Sequence, residues 1–204
     1  STSVDVIVGN GAVVYPYRWR DHTAAAYAES LGAVLASPLR TTANGYSLAP
    51  SSLVSIPAGT RLVLPSPNGS TLSLAAQGIP TFAGCLRNAA AVAQAAQKLG
   101  KRVTVIPAGE RWPDGSLRPA LEDLVGAGAI IHDLRGRRSP EAELAEAAFL
   151  RFAADLPFYL ARCSSGKELA GRGFGTDVDL AAALNASNCV PVLREGAYVG
   201  DCGG

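Results

Sequence analysis

The chain has 204 residues, of which 48% are hydrophobic and 17% charged, and its 18 basic and 17 acidic side chains leave a formal charge of +1. That composition describes a globular protein with one substantial core and excludes a disordered chain. Without a basic stripe there is no electrostatic case for nucleic acid, and no apolar run is long enough to span a membrane.

Val4 to Val8, apolar but for Asp5, predicts a buried strand, with Gly9, Asn10 and Gly11 as a turn and extended chain resuming at Val13 to Tyr15. Ala24 to Leu31 is a helix by propensity, and Gly32 stops it. Arg18, Arg20, Asp21, His22 and Thr23 therefore crowd onto the loop and first turn of that helix. A helix N-terminus with arginines beside it suits a phosphate or sulfonate. The plainer alternative is that Asp21 or Thr23 caps the helix and the arginines are surface charges.

Val34 to Ser37 predicts a strand, and Thr41 to Pro57, rich in Ser, Ala, Asn, Gly and Pro, an ordered loop. A strand over Arg61 to Pro65, a loop over Ser66 to Ser70 and a short helix closed by Gly78 follow. Ile79 to Ala83 predicts a strand. Asn88 is placed to cap an alanine-rich helix that stops at Gly100, and Arg102 to Ile106 predicts another strand.

The stretch from Val103 to Ala129 then gathers Glu110, Asp114, Glu122 and Asp123. Carboxylates beyond the carboxyl end of a parallel strand stand where open α/β sheets bind ligands. A solvated loop and a helix start that favours negative charge account for them equally well. Leu121, Leu124, Gly128 and Ile131 are spaced as the buried face of the next helix, and Arg135, Arg137 and Arg138 close it where cations complement the dipole.

Ser139-Pro140-Glu141 opens a further helix, and Pro157 is expected to kink or split it. Ser165 to Glu168 has the form of a capping box before a short helix. Thr176 is expected to cap another, Cys189 to Leu193 to form a last strand, and the final GDCGG to be mobile. Cys85, Cys163, Cys189 and Cys202 include no CxxC pair. With only His22 and His132 beside them, they are expected to be free thiols in a cytoplasmic protein; no signal peptide is evident at the start.

Short apolar strands alternating with helices predict βαβ units. The expected fold is a layered α/β/α arrangement with a largely parallel or mixed sheet and an active-site cleft at the strand ends. Residues 1–204 are expected to form one domain, with two similar halves as an option.

In order, LPSPNGS, AGCLRNAAAVA, IPAGERWPDGSLRPALEDLVGAGA, CSSGKELAGRGFGTDVDLAA and CVPVL resemble the 2-phosphosulfolactate phosphatase family from Arg61 to Leu193. The resemblance implies an α/β phosphatase that uses Mg²⁺ to remove phosphate from 2-phosphosulfolactate, a step on the route to coenzyme M. By position, Asn68 and Gly69 match the family's NG turn, and Asn88 the asparagine that opens its next helix. Glu110 matches the loop after AG, Glu122 and Asp123 the ED pair, and Ser165, Gly166 and Asp177 polar positions in the last third. The N-terminal third departs from the family's D-V-L-R-A-T-T-T run. Counting back from Gly32 and Ala33, Arg20 falls on its arginine, Thr23 on a threonine, and Tyr17 where it has an aspartate, while Asp21 stands four residues on.

Hydrolysis of a phosphate monoester needs charge neutralisation, a placed nucleophile and a stabilised leaving oxygen. Glu110, Glu122 and Asp123 are the candidate Mg²⁺ ligands, and two of them would be enough. Arg18, Arg20, Thr23, Asn68, Gly69, Ser70, Asn88 and Ser165 are the candidate substrate-binding residues. Asp21, Arg20, His22 and Glu122 are the candidate catalytic residues, with water activated by the metal as the expected nucleophile and Asp21 as the other option. The expected partner is a small anionic phosphoester, with neither nucleic acid nor membrane, and a homodimer is allowed. A different class of function, a small-anion-binding module without turnover, remains as the alternative.

Overall fold

Val4, Val6, Ile7 and Val8, together with Asp5 among them, are all buried in the computed structural model, which describes residues 1–40, 45–76 and 78–200. They do not form the predicted strand. They lie in helix α1 (Thr2–Gly9). A short run of four apolar residues broken only by Asp5 carries no clear period, so it fits a helix buried all round as well as a strand. Strand β1 (Val13–Tyr17) follows, then α2 (Thr23–Ser30), β2 (Val34–Leu35), a 3₁₀ turn at Pro50–Leu53, β3 (Arg61–Pro65) and α3 (Pro67–Ala75). Part of the loop expected over Thr41 to Pro57, residues 41–44, lies outside the described residues. Near the other end β6 (Pro191–Arg194) and β7 (Ala197–Gly200) form a hairpin; its turn uses positive φ at Glu195 and Gly196, as a tight two-residue turn requires. The predicted tail of GDCGG, with Cys202, lies outside the described residues beyond Gly200.

These elements make one sheet in the order β2-β3-β1-β7-β6. β2, β3 and β1 run parallel, and β7 and β6 complete it antiparallel, so the sheet is mixed. Ile7, Val8, Val14, Leu53 and Leu62, all fully buried, form the centre of its core. The strand predicted over Ile79 to Ala83 shrinks to a single bridge, Phe82 to Val192. Helix α3 starts four residues earlier than expected because Pro67 sits at its first position, where a missing N–H costs nothing and φ is already helical. This sheet and its helices, Ser1–Ala83 with the chain from Cys189, are one compact unit, and Gly84–Asn188 is a second.

The second unit is helical. It contains α4 (Ala89–Leu99), the two-residue strands β4 (Glu110–Arg111) and β5 (Leu117–Arg118), then α5 (Leu121–Asp133), α6 (Pro140–Phe152), α7 (Leu156–Arg162), α8 (Ser164–Gly171) and α9 (Gly175–Ala182). Its core is Leu86, Ala89, Ala93, Val125, Ala129, Phe149, Leu160 and Val178. The strand expected over Arg102 to Ile106 does not form. Among the described residues the main chain of 102–108 makes no hydrogen bond, and Ile106 is 63% exposed. The segment has the β-branched content of a strand but no neighbour to pair with.

The start of α6, the break before α7 and the end of α5 follow their sequence signals, whereas α9 begins from Phe174 and has Thr176 inside it. Ser139 Oγ accepts the Ala142 N–H at 3.3 Å to start α6. Pro157 splits the predicted long helix, and Asp155 caps the new start by accepting the Phe158 N–H. At the end of α5, Arg138 donates to the carbonyls of Ile131 and Leu134, each at 3.1 Å, and pairs with Glu146 at 2.6 Å. The capping box expected at Ser165 to Glu168 is replaced. Cys163 Sγ accepts the Gly166 N–H at 3.4 Å, and Glu168 is engaged elsewhere. Cys85, Cys163 and Cys189 are free thiols.

Candidate active site

In the first unit, parallel pairing sets Tyr17, the last residue of β1, beside Pro65, the last of β3. The Ser66 N–H donates to the Tyr17 carbonyl at 3.1 Å. The loop of Arg18, Arg20, Asp21 and His22 and the first turn of α3, with Asn68, Gly69 and Ser70, therefore leave the same carboxyl edge of the sheet, the position that binds ligands in open α/β folds. Asn68 and Gly69 are in that helical turn rather than in a separate loop.

Asp21 and Thr23 are joined twice. The Thr23 hydroxyl and its N–H both donate to Asp21 Oδ1 (the N–H at 3.0 Å), and the Tyr17 hydroxyl donates to Thr23 Oγ1 at 2.7 Å. The Thr23 hydroxyl, followed by its N–H and the neighbouring His22, holds the Asp21 carboxyl below the usual range, so it is ionised at neutral pH. Asp21 thus holds the first N–H of α2 from one residue before the cap, while the cap position itself is neither Asp21 nor Thr23. His22 is exposed at the cap position of α2, and the Arg18 guanidinium lies over the exposed Trp19 ring.

In the second unit, Glu122 and Asp123 occupy the first turn of α5, where carboxylates complement the helix dipole. Asp123 Oδ2 accepts the Gly109 N–H at 2.8 Å, which ties the base of the β4–β5 hairpin to α5. Burial raises the Asp123 carboxyl above its ordinary value, and the nearby Glu122 and Glu110 charges add to that rise. Glu110 itself is exposed, on the first strand of the hairpin. Cys163 Sγ stands 3.9 Å from Glu122 Oε2 and 3.3 Å from Ser165 Oγ. Asn88 is fully buried, and its side-chain oxygen accepts the Cys85 N–H, so it serves the local main chain.

One residue escaped the sequence reading. Arg118 is the cross-strand partner of Glu110 and grips Glu168 through two hydrogen bonds, at 2.6 and 3.2 Å. Only the hairpin spacing in ERWPDGSLR hinted at it. Among the described residues no three His, Cys, Asp or Glu side chains gather closely enough to hold a metal ion.

The model of the family described as 2-phosphosulpholactate phosphatase matches residues 41–196. That span includes Asn68 to Ser70, Asn88, Glu110, Glu122, Asp123 and Ser165, while Arg18 to Thr23 precede it. The chain is 34% identical over 138 residues to a protein of Methanothermobacter thermautotrophicus named 2-phosphosulfolactate phosphatase, a match covering 68% of this chain and 58% of that one. It is 36% identical over 148 residues to a protein of Carboxydothermus hydrogenoformans named "Probable 2-phosphosulfolactate phosphatase", covering 69% and 59%. The chain thus spans less than two thirds of the length of these curated relatives. Matched over most of its residues, the chain belongs to the 2-phosphosulpholactate phosphatase family.

Proposed function

We propose that the protein is a Mg²⁺-dependent phosphatase of small anionic phosphate monoesters, with 2-phosphosulfolactate as the substrate and sulfolactate and phosphate as products, on the route to coenzyme M. The observation that carries this reading is the acidic first turn of α5, inside the matched span, where half-buried Asp123 is crowded by the charges of Glu122 and Glu110. A carboxylate that resists ionisation, as Asp123 does, gains most from a cation, and an all-oxygen donor set suits Mg²⁺, which keeps several of its own waters. The residues therefore fit the metal, with two of Glu110, Glu122 and Asp123 to hold it. Bound there, Mg²⁺ would supply charge neutralisation for phosphoryl oxygens.

The chain's own residues carry the remaining chemistry. Arg18 and Arg20 suit the substrate's anionic groups through paired N–H donors, and the N–H groups opening α3 at Asn68 to Ser70 suit a further anionic oxygen. Water activated by the metal is the expected nucleophile, Asp21, held ionised by Thr23, is the other option, and exposed His22 beside it suits a proton donor. Each assignment rests on the chemistry of its own unit.

Phosphate release from a panel of small phosphorylated acids, with Mg²⁺ or with a chelator, tests the reading. The expected result is release from 2-phosphosulfolactate that the chelator abolishes. Glu122→Ala should lower it by more than the roughly 10- to 100-fold that loss of an outer-shell partner costs. No release from any compound by the folded protein overturns it. That outcome would favour the second reading, an anion-binding module, which the lack of a gathered metal-binding trio among the described residues supports.

A further inference from the structure

Glu110 sits on a hairpin of two two-residue strands, too short to hold its own shape in water. Two attachments hold it. The residue before Glu110 donates its N–H to Asp123 on α5 at 2.8 Å. The residue across from Glu110, Arg118, is paired with Glu168 on α8 through both branches of its guanidinium. The same guanidinium lies 4.9 Å from the centre of the Trp112 ring. Its side chain is only 15% exposed, and its charge acts on Glu110 and Glu122 as well as on Glu168.

We infer that Arg118 is a positioning residue: gripped by Glu168, stacked on Trp112 and facing Glu110 across the hairpin, it fixes where the Glu110 carboxylate stands relative to Glu122 and Asp123. The inference rests on the proposed function and goes beyond it in assigning a role outside the acidic group itself. A structural purpose alone explains little, because Glu168 is 58% exposed and an ion pair so open to water contributes little to stability. Its geometry is specific, however. A lysine can neither grip a carboxylate with two parallel bonds nor stack flat on an indole.

The test is a Mg²⁺ titration followed by Trp112 fluorescence in a Trp19→Phe background, which leaves a single indole among the two of the sequence. Phosphate release at each Mg²⁺ concentration is measured in parallel. Arg118→Ala and Arg118→Lys are each expected to raise the Mg²⁺ midpoint by roughly 10- to 100-fold in both readouts. Thermal midpoints should stay close to the parent's, and Glu168→Gln should give a smaller rise in the same direction. An unchanged Mg²⁺ midpoint in the folded Arg118→Lys and Glu168→Gln proteins, beside a parent that responds and releases phosphate, overturns the positioning role and leaves the phosphatase reading standing. A parent that neither responds to Mg²⁺ nor releases phosphate overturns the phosphatase reading, and the positioning role with it.

Discussion

The two units use opposite means to hold themselves together. The first depends on strands far apart in sequence: β1 pairs with β3 and β7, and β7 with β6, so its core closes only when both ends of the chain arrive. The second depends on neighbours in sequence. α5 and α6 pack side by side, and short caps fix where each helix begins and ends. Sheet pairing tolerates local imperfection because many bonds share the load, whereas a close helix crossing depends on a few atoms.

The sharpest test of that contrast is Gly128→Ala. A Cβ there would stand 2.0 Å from the Ala145 carbonyl oxygen and 2.8 Å from Phe149 Cβ, so α5 and α6 must separate. A loss at or above the roughly 1–3 kcal/mol of ordinary overpacking is expected in urea unfolding followed by circular dichroism. Gly126→Ala, two residues earlier with open space around its Cβ, should instead gain up to roughly 1 kcal/mol. Equal effects at the two positions would mean that the crossing is not what holds the second unit.

A smaller effect is expected at the far end of α5. Arg138→Ala leaves the Leu134 carbonyl without its side-chain donor, the Ile131 carbonyl with the Leu134 N–H alone, and Glu146 without its close cation. The expected loss is about 1–3 kcal/mol, and Arg138→Lys should recover only part of it. Full recovery by lysine in the same unfolding measurement would reduce the arginine to a simple charge.

The smallest effect belongs to the sheet. The buried Tyr198 hydroxyl of β7 lies 2.7 Å from Ser73 Oγ, so Tyr198→Phe should cost about 1 kcal/mol at neutral pH. Burial raises the Tyr198 phenol above its ordinary value of 10.0. Once the pH passes that ordinary value, the unfolded chain releases its proton before the folded one, so the native protein loses stability until the raised value is reached. The phenylalanine variant lacks that loss. Its deficit should therefore narrow on the alkaline side, and a constant gap between pH 8 and 11 in roughly unit steps would contradict the assignment.

The same contrast explains what could be read from the chain. β1, β3, β6 and the helix stops at Gly32 and Gly100 follow from local pattern, as do the caps at Ser139 and Arg138. Val4 to Val8 and Arg102 to Ile106 do not, because whether an apolar run becomes a strand depends on whether another strand lies beside it, and no single window contains that information. The candidate site divides likewise. The acidic turn at Glu122 and Asp123 and the loop from Arg18 to Thr23 are visible as residue types in order. The tie from Gly109 to Asp123 and the grip of Arg118 on Glu168 are not, since the second spans 50 positions and neither residue type points to the other.

The unpaired main chain of 102–108 has a consequence of its own. Among the described residues no main-chain hydrogen bond protects its amides, so their protons are expected to trade with solvent far faster than those of α5, which an intact helix holds back. Exposed β-branched residues with both edges open are also where one molecule can begin to seed strand pairing with the next.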